Sequence, residues 1–262
     1  MDKLYVIKIG GNIVDNEAAL SDFLDLFAAV PGKKILVHGG GKVATRLAAD
    51  LNIKQQLVDG RRITDAETLK VVTMVYAGLV NKQIVAALQS KGSNVLGITG
   101  ADGNIIQAHK RIHPTMDYGF VGDVDFVNST MLSAVLGLGL NVVVAPITHD
   151  NKGQLLNTNA DTIAQEIATA MSKLYNVDLI YSFEKAGVLM DAEDDNTVIK
   201  VIDPTTYKSL RDRQLIFAGM IPKLDNAFAA LRSGVRKVII GHGTQLPLLI
   251  SGAAGTTIID AA

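Results

Sequence analysis

The chain has no cysteine among its 262 residues. That excludes a disulfide framework, a thiolate nucleophile and any cysteine-based zinc or iron–sulfur site. Charge is also sparse and balanced. Charged residues make up 19% and the net charge is -1, so there is no broad cationic field of the kind nucleic acid or an acidic membrane would require. The opening residues, MDKLYVIKIGGNIV, carry an acid and a lysine and then alternate. They lack the uninterrupted apolar core of a signal peptide, and the cytoplasm is the expected location. The longest apolar tract, MLSAVLGLGLNVVVAPI, is broken by Gly137, Gly139 and Asn141; it reads as a helix end, a turn and a buried strand, not a membrane span. No internal repeat, low-complexity run or Pro-, Gly- or Ser-rich linker separates two domains. What remains is 48% hydrophobic and long enough to bury a large core within one domain. A protein of small molecules is expected.

Strand-like runs occur at 4–9, 34–38, 94–98, 141–147, 177–182, 237–241 and 256–259, most of them continuous and β-branched. That pattern suits parallel strands covered on both faces. Helical patterns lie between them. Leu20, Phe23, Leu24 and Phe27 share one face. Thr64 and Glu67 read as a capping box before a long helix holding Leu69, Val72 and Tyr76. A helix is expected from about Asn159 with Ile163 and Ile167 inward, Asp203-Pro204 reads as an N-cap and first helical residue, and a last helix carries Leu224, Phe228 and Leu231. Period-two stretches near 104–108 and 197–201 suggest added hairpins. Alternating strands and helices predict an α/β fold with a mostly parallel central sheet flanked by helices, its ligands at the carboxyl ends of the strands.

Glycine marks those ends. The segment GGGKVA satisfies G-x-G-x-x-A at Gly39, Gly41 and Ala44, with Asp59 where a dinucleotide fold would place its ribose acid. The match is weak, because only Leu57-Val58 precede Asp59 where a full strand is needed. A P-loop fails too, since no Ser or Thr follows Lys42. A purely structural turn stays open. The first strand, however, ends the same way at Gly10-Gly11, and paired glycine loops leading to helix N-termini would cradle an anion. Lys8 lies inside the apolar run LYVIKIGG, where an ammonium is costly unless it meets an anion; the alternative is a snorkelling edge lysine. Asn157, Asn159 and Asp161 precede or open a helix, and could be no more than redundant caps. Lys223, near the start of the last long helix, could be a second phosphate lysine or a surface one.

Taken jointly, Lys8 with Gly10-Gly11, HGGG (38–41), DGRRIT (59–64), GFVGDV (119–124), GQLLNTNAD (153–161) and GMIPK (219–223) resemble, in order and spacing, the amino acid kinase superfamily over essentially the whole chain. Within it they are most similar to kinases of N-acylated glutamate. The resemblance implies a three-layer sandwich in one domain, 1–262. Its N-terminal lobe, about 1–172, would bind the amino acid and dimerise, and its C-terminal lobe, about 173–262, would bind nucleotide. It also implies that Lys8 and Lys223 neutralise the transferring phosphoryl group and that Asp161 organises both. Gly40 and Gly41 would meet substrate and γ-phosphate, with Gly10 and Gly11 facing them. Arg62 would pair with the α-carboxylate, Asn157 and Asn159 would complete the substrate contacts, and Arg61 receives no role. Ser182, Gly187, Leu189, Phe217, Gly219 and Met220 would hold the nucleotide. The implied partners are ATP with its Mg2+, an N-acyl-L-glutamate and a second copy of the chain in a homodimer. Only seven residues precede Lys8, so the ring-forming N-terminal helix of arginine-inhibited members is missing and arginine insensitivity is expected.

Elementary chemistry agrees. A glutamate carboxyl has a pKa of about 4.3, so the nucleophile is already ionised and needs no general base. The difficulty is bringing an anion to a polyanion, which calls for positioning and cationic stabilisation, and the planar fork of an arginine suits a carboxylate. Two departures concern the nucleotide lobe. SFEKAGVL (182–189) is one residue longer than the superfamily's usual Ser-Asp-Val-x-Gly segment, and Ala218 stands where Gly or Asp is usual before Gly-Met. Acetyl and succinyl substrates stay open. So do carbamate, UMP or glutamate kinase activities, a non-catalytic sensor on the same fold, and, on the glycine motif alone, an NAD-dependent oxidoreductase.

Overall fold

The computed structural model describes residues 1–58, 61–191, 194–213, 215–216 and 220–260, with the side chains of Arg61 and Pro222 left aside. Asp59, Phe217, Ala218 and Gly219 therefore lie outside the described residues. The chain forms two compact units, Met1–Lys34 with Ala164–Ala262, and Ile35–Ile163.

In the first unit the strands run in the order Val201–Ile202, Thr256–Ile258, Lys237–His242, Asn176–Phe183, Lys3–Ile9. All neighbouring pairs are parallel except Lys237–His242 with Thr256–Ile258. The 197–201 stretch turns back as a short hairpin at its start, where Leu189 bridges Val198 antiparallel, Met190 N–H donates to Thr197 O and Ile199 N–H to Val188 O, while Val201 and Ile202 pair in parallel with residues 257–258. Continuous burial of Leu4, Val6, Ile7 and Ile9 is what a parallel strand covered on both faces requires. One cover is the Glu17–Ala29 helix, capped by Asn16, which turns Phe23, Leu24 and Phe27 inward.

In the second unit Lys33–His38, Asn141–Val144 and Val95–Ile98 run parallel. The expected 141–147 strand breaks at Ala145-Pro146. There the chain leaves this sheet, and Ile147–His149 joins a second one, ordered Leu155–Asn157, Ile147–His149, Ile106–Lys110, Gly122–Val127. Gln56–Val58 and Arg61–Ile63 form a separate antiparallel ribbon. The fold class is α/β: the main strands are mostly parallel and flanked by helices, while the second sheet is mostly antiparallel.

A continuous 25-residue helix, Ala66–Ser90, is long and apolar enough by length and composition to cross a membrane. It packs here on the Val95–Ile98 and Asn141–Val144 strands and buries the hydrogen-bonded Asn81, as a core helix does. Its middle, Thr73–Val80, is π-helical. Its cap is Asp65, which accepts from Thr68 N at 2.7 Å. The expected capping box at Thr64 is absent, because the Thr64 backbone is bridged to Gly119 and its hydroxyl donates to Arg62 O.

Candidate active site

One cavity of about 230 Å³ in the second unit is lined by Gly40, Gly41, Arg62, Asn157 and Asn159, together with Gly39, Leu57, Tyr76, Arg111 and others. Its floor is the loop between the Lys33–His38 strand and the Gly41–Asp50 helix. Gly40 has φ 148°, and a Cβ on it would lie 3.2 Å from the Tyr76 ring. Only glycine fits, on both backbone and steric grounds. Gly40 is also the N-cap and supplies no side-chain acceptor, so the positive end of a ten-residue helix opens onto the cavity without a capping side chain.

Arg62 is nearly buried and tied to that loop. Its Nη2 donates to Gly41 O and Thr45 Oγ1, both at 2.9 Å, and its Nη1 to Gln55 Oε1. These bonds orient the guanidinium and leave the rest of its donor fork for a ligand. Asn157 Nδ2 donates to Thr64 Oγ1 at 2.9 Å. Asn159 Oδ1 accepts from the backbone N of Asp161 and Thr162 at 2.8 and 3.1 Å. Asn159 is therefore both a cap of the Ala160–Met171 helix and part of the cavity wall. Asp161 sits in the first turn of that helix.

In the first unit, Lys8 is 9% exposed and in register with Tyr181 on the next strand, so the two side chains lie on one face. The Lys223 ammonium stands 5.9 Å from the rings of both Tyr181 and Phe183, on that same face. Two cations thus share one aromatic neighbourhood. Gly10, which continues the face, makes room: a Cβ there would come within 3.3 Å of Phe183 Cβ. Its N–H is donated to Ser182 O at 2.8 Å, and Gly11 opens a four-residue helix. Ser182 is the penultimate residue of its strand and is buried. Gly187 packs against Thr256, where a Cβ would lie 2.7 Å from Oγ1, and Leu189 and Met220 are buried. Phe217 and Gly219 lie outside the described residues.

Sequence reasoning missed Arg111. It lines the cavity while its Nε bonds both carboxylate oxygens of Asp123, at 3.1 and 3.0 Å. Asp123 raises its pKa further. The signal was a basic run, His109-Lys110-Arg111, at the end of the Ile106–Lys110 strand, and nothing local tells which of the three turns inward.

Among the described residues no group of three or more His, Asp or Glu could hold a metal.

Comparison with known proteins adds an independent finding. The profile of the amino acid kinase family matches residues 3–242. The acetylglutamate kinase of Phocaeicola vulgatus is 54% identical over 257 residues, covering 98% of each chain, that of Cytophaga hutchinsonii 55% over 252 residues and 96% of each, and that of Methanopyrus kandleri 38% over 251 residues, 94% of this chain and 97% of that one. Among solved structures, carbamate kinase from Giardia superposes with a TM-score of 0.70 at 12% identity, over 99% of both chains. The N-acetylglutamate synthase of Neisseria gonorrhoeae reaches a TM-score of 0.83 at 22% identity, with this chain covered in full but spanning only 60% of that protein; both show the fold alone. The chain belongs to the amino acid kinase family.

Proposed function

We propose that this protein transfers the γ-phosphoryl group of ATP to the side-chain carboxylate of N-acetyl-L-glutamate, giving an acyl phosphate, as an early step of arginine biosynthesis in the cytoplasm. The observation that carries the reading is the cavity itself: a glycine-floored helix N-terminus, a tethered arginine and an asparagine converge on about 230 Å³. That is smaller than a drug-sized site of roughly 300–1,000 Å³ and suits an amino acid derivative. The names of relatives that match over nearly the whole chain supply the substrate.

In this reading Arg62 grips the α-carboxylate with Asn157 and Asn159 beside it, the Gly40 and Gly41 amides face the acceptor and γ-phosphate, and Gly10 and Gly11 are assigned to the nucleotide's phosphates. Lys8 and Lys223 neutralise charge that spreads over the phosphoryl oxygens, and Asp161 is assigned the part of the organising acid. No proton need be removed from the nucleophile, so no histidine or cysteine is required. Mg2+ arriving with ATP would neutralise the β- and γ-phosphates. Ser182, Gly187, Leu189, Phe217, Gly219 and Met220 are assigned to the nucleotide side, within a proposed C-terminal lobe of about 173–262. A homodimer is included in the proposal; Met74 and Leu79, both about half exposed on the Ala66–Ser90 helix, are apolar surface that a second copy could cover.

The test is ADP release, coupled to NADH oxidation, with N-acetyl-L-glutamate, N-succinyl-L-glutamate, free glutamate, carbamate and UMP as acceptors. Turnover should require an N-acyl glutamate and fall about 100-fold or more in Lys8→Ala and in Lys223→Ala, each of which removes a preorganised charge. Release with carbamate or UMP but with no acyl glutamate would replace this reading. Tight binding with no release would make the protein a sensor.

A further inference from the structure

The cavity floor is three consecutive glycines, and glycine backbone turns over cheaply. Something must hold it. His38 closes the Lys33–His38 strand immediately before the loop and is fully buried. Its Nδ1 lies 2.7 Å from Gly39 O, and its Nε2 lies 3.2 Å from Asn81 Nδ2.

Asn81 decides where the imidazole proton sits. Asn81 Nδ2 is 3.0 Å from the Val143 carbonyl oxygen, which can only accept, and Asn81 Oδ1 is 3.1 Å from the Lys82 ammonium, which can only donate. The amide orientation is set at both ends, so Nδ2 offers its second N–H to His38. Nε2 must then be bare, and the single ring proton lies on Nδ1, donated to Gly39 O. Burial keeps the ring neutral, with the pKa lowered to about 4 and the Lys82 charge acting in the same direction. In a trans peptide the carbonyl of residue i and the amide of residue i+1 point opposite ways. Pinning Gly39 O into the core therefore turns the Gly40 N–H outward, toward the cavity that Gly39 and Gly40 line.

We propose that His38, as its Nδ1–H tautomer oriented by Asn81, is a positioning residue that locks the Gly39–Gly40 peptide so that the Gly40 amide faces the reacting anion. Gly97 makes the arrangement possible from the neighbouring strand: a Cβ there would lie 2.2 Å from Asn81 Oδ1. The kinetic consequence rests on the phosphotransfer reading; the tautomer does not.

The test compares His38→Asn with His38→Gln in the full chain, using ATP and N-acetyl-L-glutamate. The short amide can place an N–H where Nδ1 stands, and the longer one reaches only the Nε2 position. His38→Gln should lose about tenfold or more in kcat, approaching the cost of a lost oxyanion-hole donor, with KM for the amino acid little changed, and His38→Asn should regain most of it. Gly97→Ala, far from the cavity, should lower kcat in the same sense by displacing the amide. Equal loss in both His38 variants, or no loss in either, would overturn the proposal. Independently of turnover, ¹⁵N-histidine spectra of the wild-type protein at pH 7 should show one ring protonated at Nδ1 and bare at Nε2. An Nε2–H or doubly protonated ring at His38 would overturn it even if folding of the variants failed, while wild-type inactivity on every acyl glutamate would count against the phosphotransfer reading alone.

Discussion

Mild acid should destabilise this fold through His38. In the folded chain the imidazole pKa is lowered from 6.5 to about 4 by burial, whereas the unfolded chain titrates normally. Below pH 6.5 the unfolded state gains a proton that the native state refuses, so stability falls as pH drops from about 6.5 to about 4 and is unaffected above that window. A displacement of two and a half pKa units corresponds to about 3.4 kcal/mol at the acid limit and about 2.5 kcal/mol at pH 4.5. That is a large fraction of the 5–15 kcal/mol typical of a folded domain. The low-pKa aspartates Asp65 and Asp203, both helix caps, and Asp150, which accepts from loop amides, lose their contribution only at lower pH and stay ionised at 4.5. The assay is urea unfolding followed by far-UV circular dichroism at pH 7.0 and 4.5, for the wild type and His38→Asn. The wild type should lose about 2.5 kcal/mol more than the variant between the two pH values. Equal losses would refute the reasoning, because the group said to refuse the proton would then make no difference.

Gly40→Ala should cost about 1–3 kcal/mol in melting experiments, since alanine must hold a φ of 148° and push on the Tyr76 ring; an unchanged Tm would show that the loop relaxes freely. Arg62→Lys keeps the charge but loses the fork, and KM for the amino acid should rise about tenfold or more with kcat less affected; an unchanged KM would remove Arg62 from the carboxylate. Buried Asp178 accepts from Lys3 at 2.5 Å and Arg236 at 2.6 Å, and Asp178→Asn should cost about 1–3 kcal/mol, at or below the low end for a broken buried pair because both cations reach solvent; a neutral effect by urea unfolding would contradict it.

What the sequence disclosed was the local chemistry. Lys8 stands out because an ammonium inside an apolar run needs a reason, Gly40 because three glycines before an amphipathic stretch mark a turn no side chain could make, and Asn159 because small polar residues before a helix announce a cap. Features that depend on distant partners stayed hidden. His38 and Asn81 are 43 positions apart, and no periodicity links them. Arg111 turns inward only because Asp123 on the paired strand receives it. Thr64 looked like a cap because its bridge to Gly119 is invisible in one dimension, and the 141–147 run looked like one strand because β-propensity does not register a chain crossing between sheets.

The π-helical stretch has one more implication. Val72, Tyr76, Val80, Ile84 and Leu88 are all buried at steps of four residues, a spacing that in a regular α-helix would drift about 160° around the axis over that length. The widened turns at Thr73–Val80 absorb the drift and keep one flank inward. Removing a single residue there, such as the exposed Gly78, would give a more regular helix and at the same time swing Asn81 and everything beyond it by about 100°, so a shorter homologue with ideal geometry in this segment would have to orient its glycine loop by some other route.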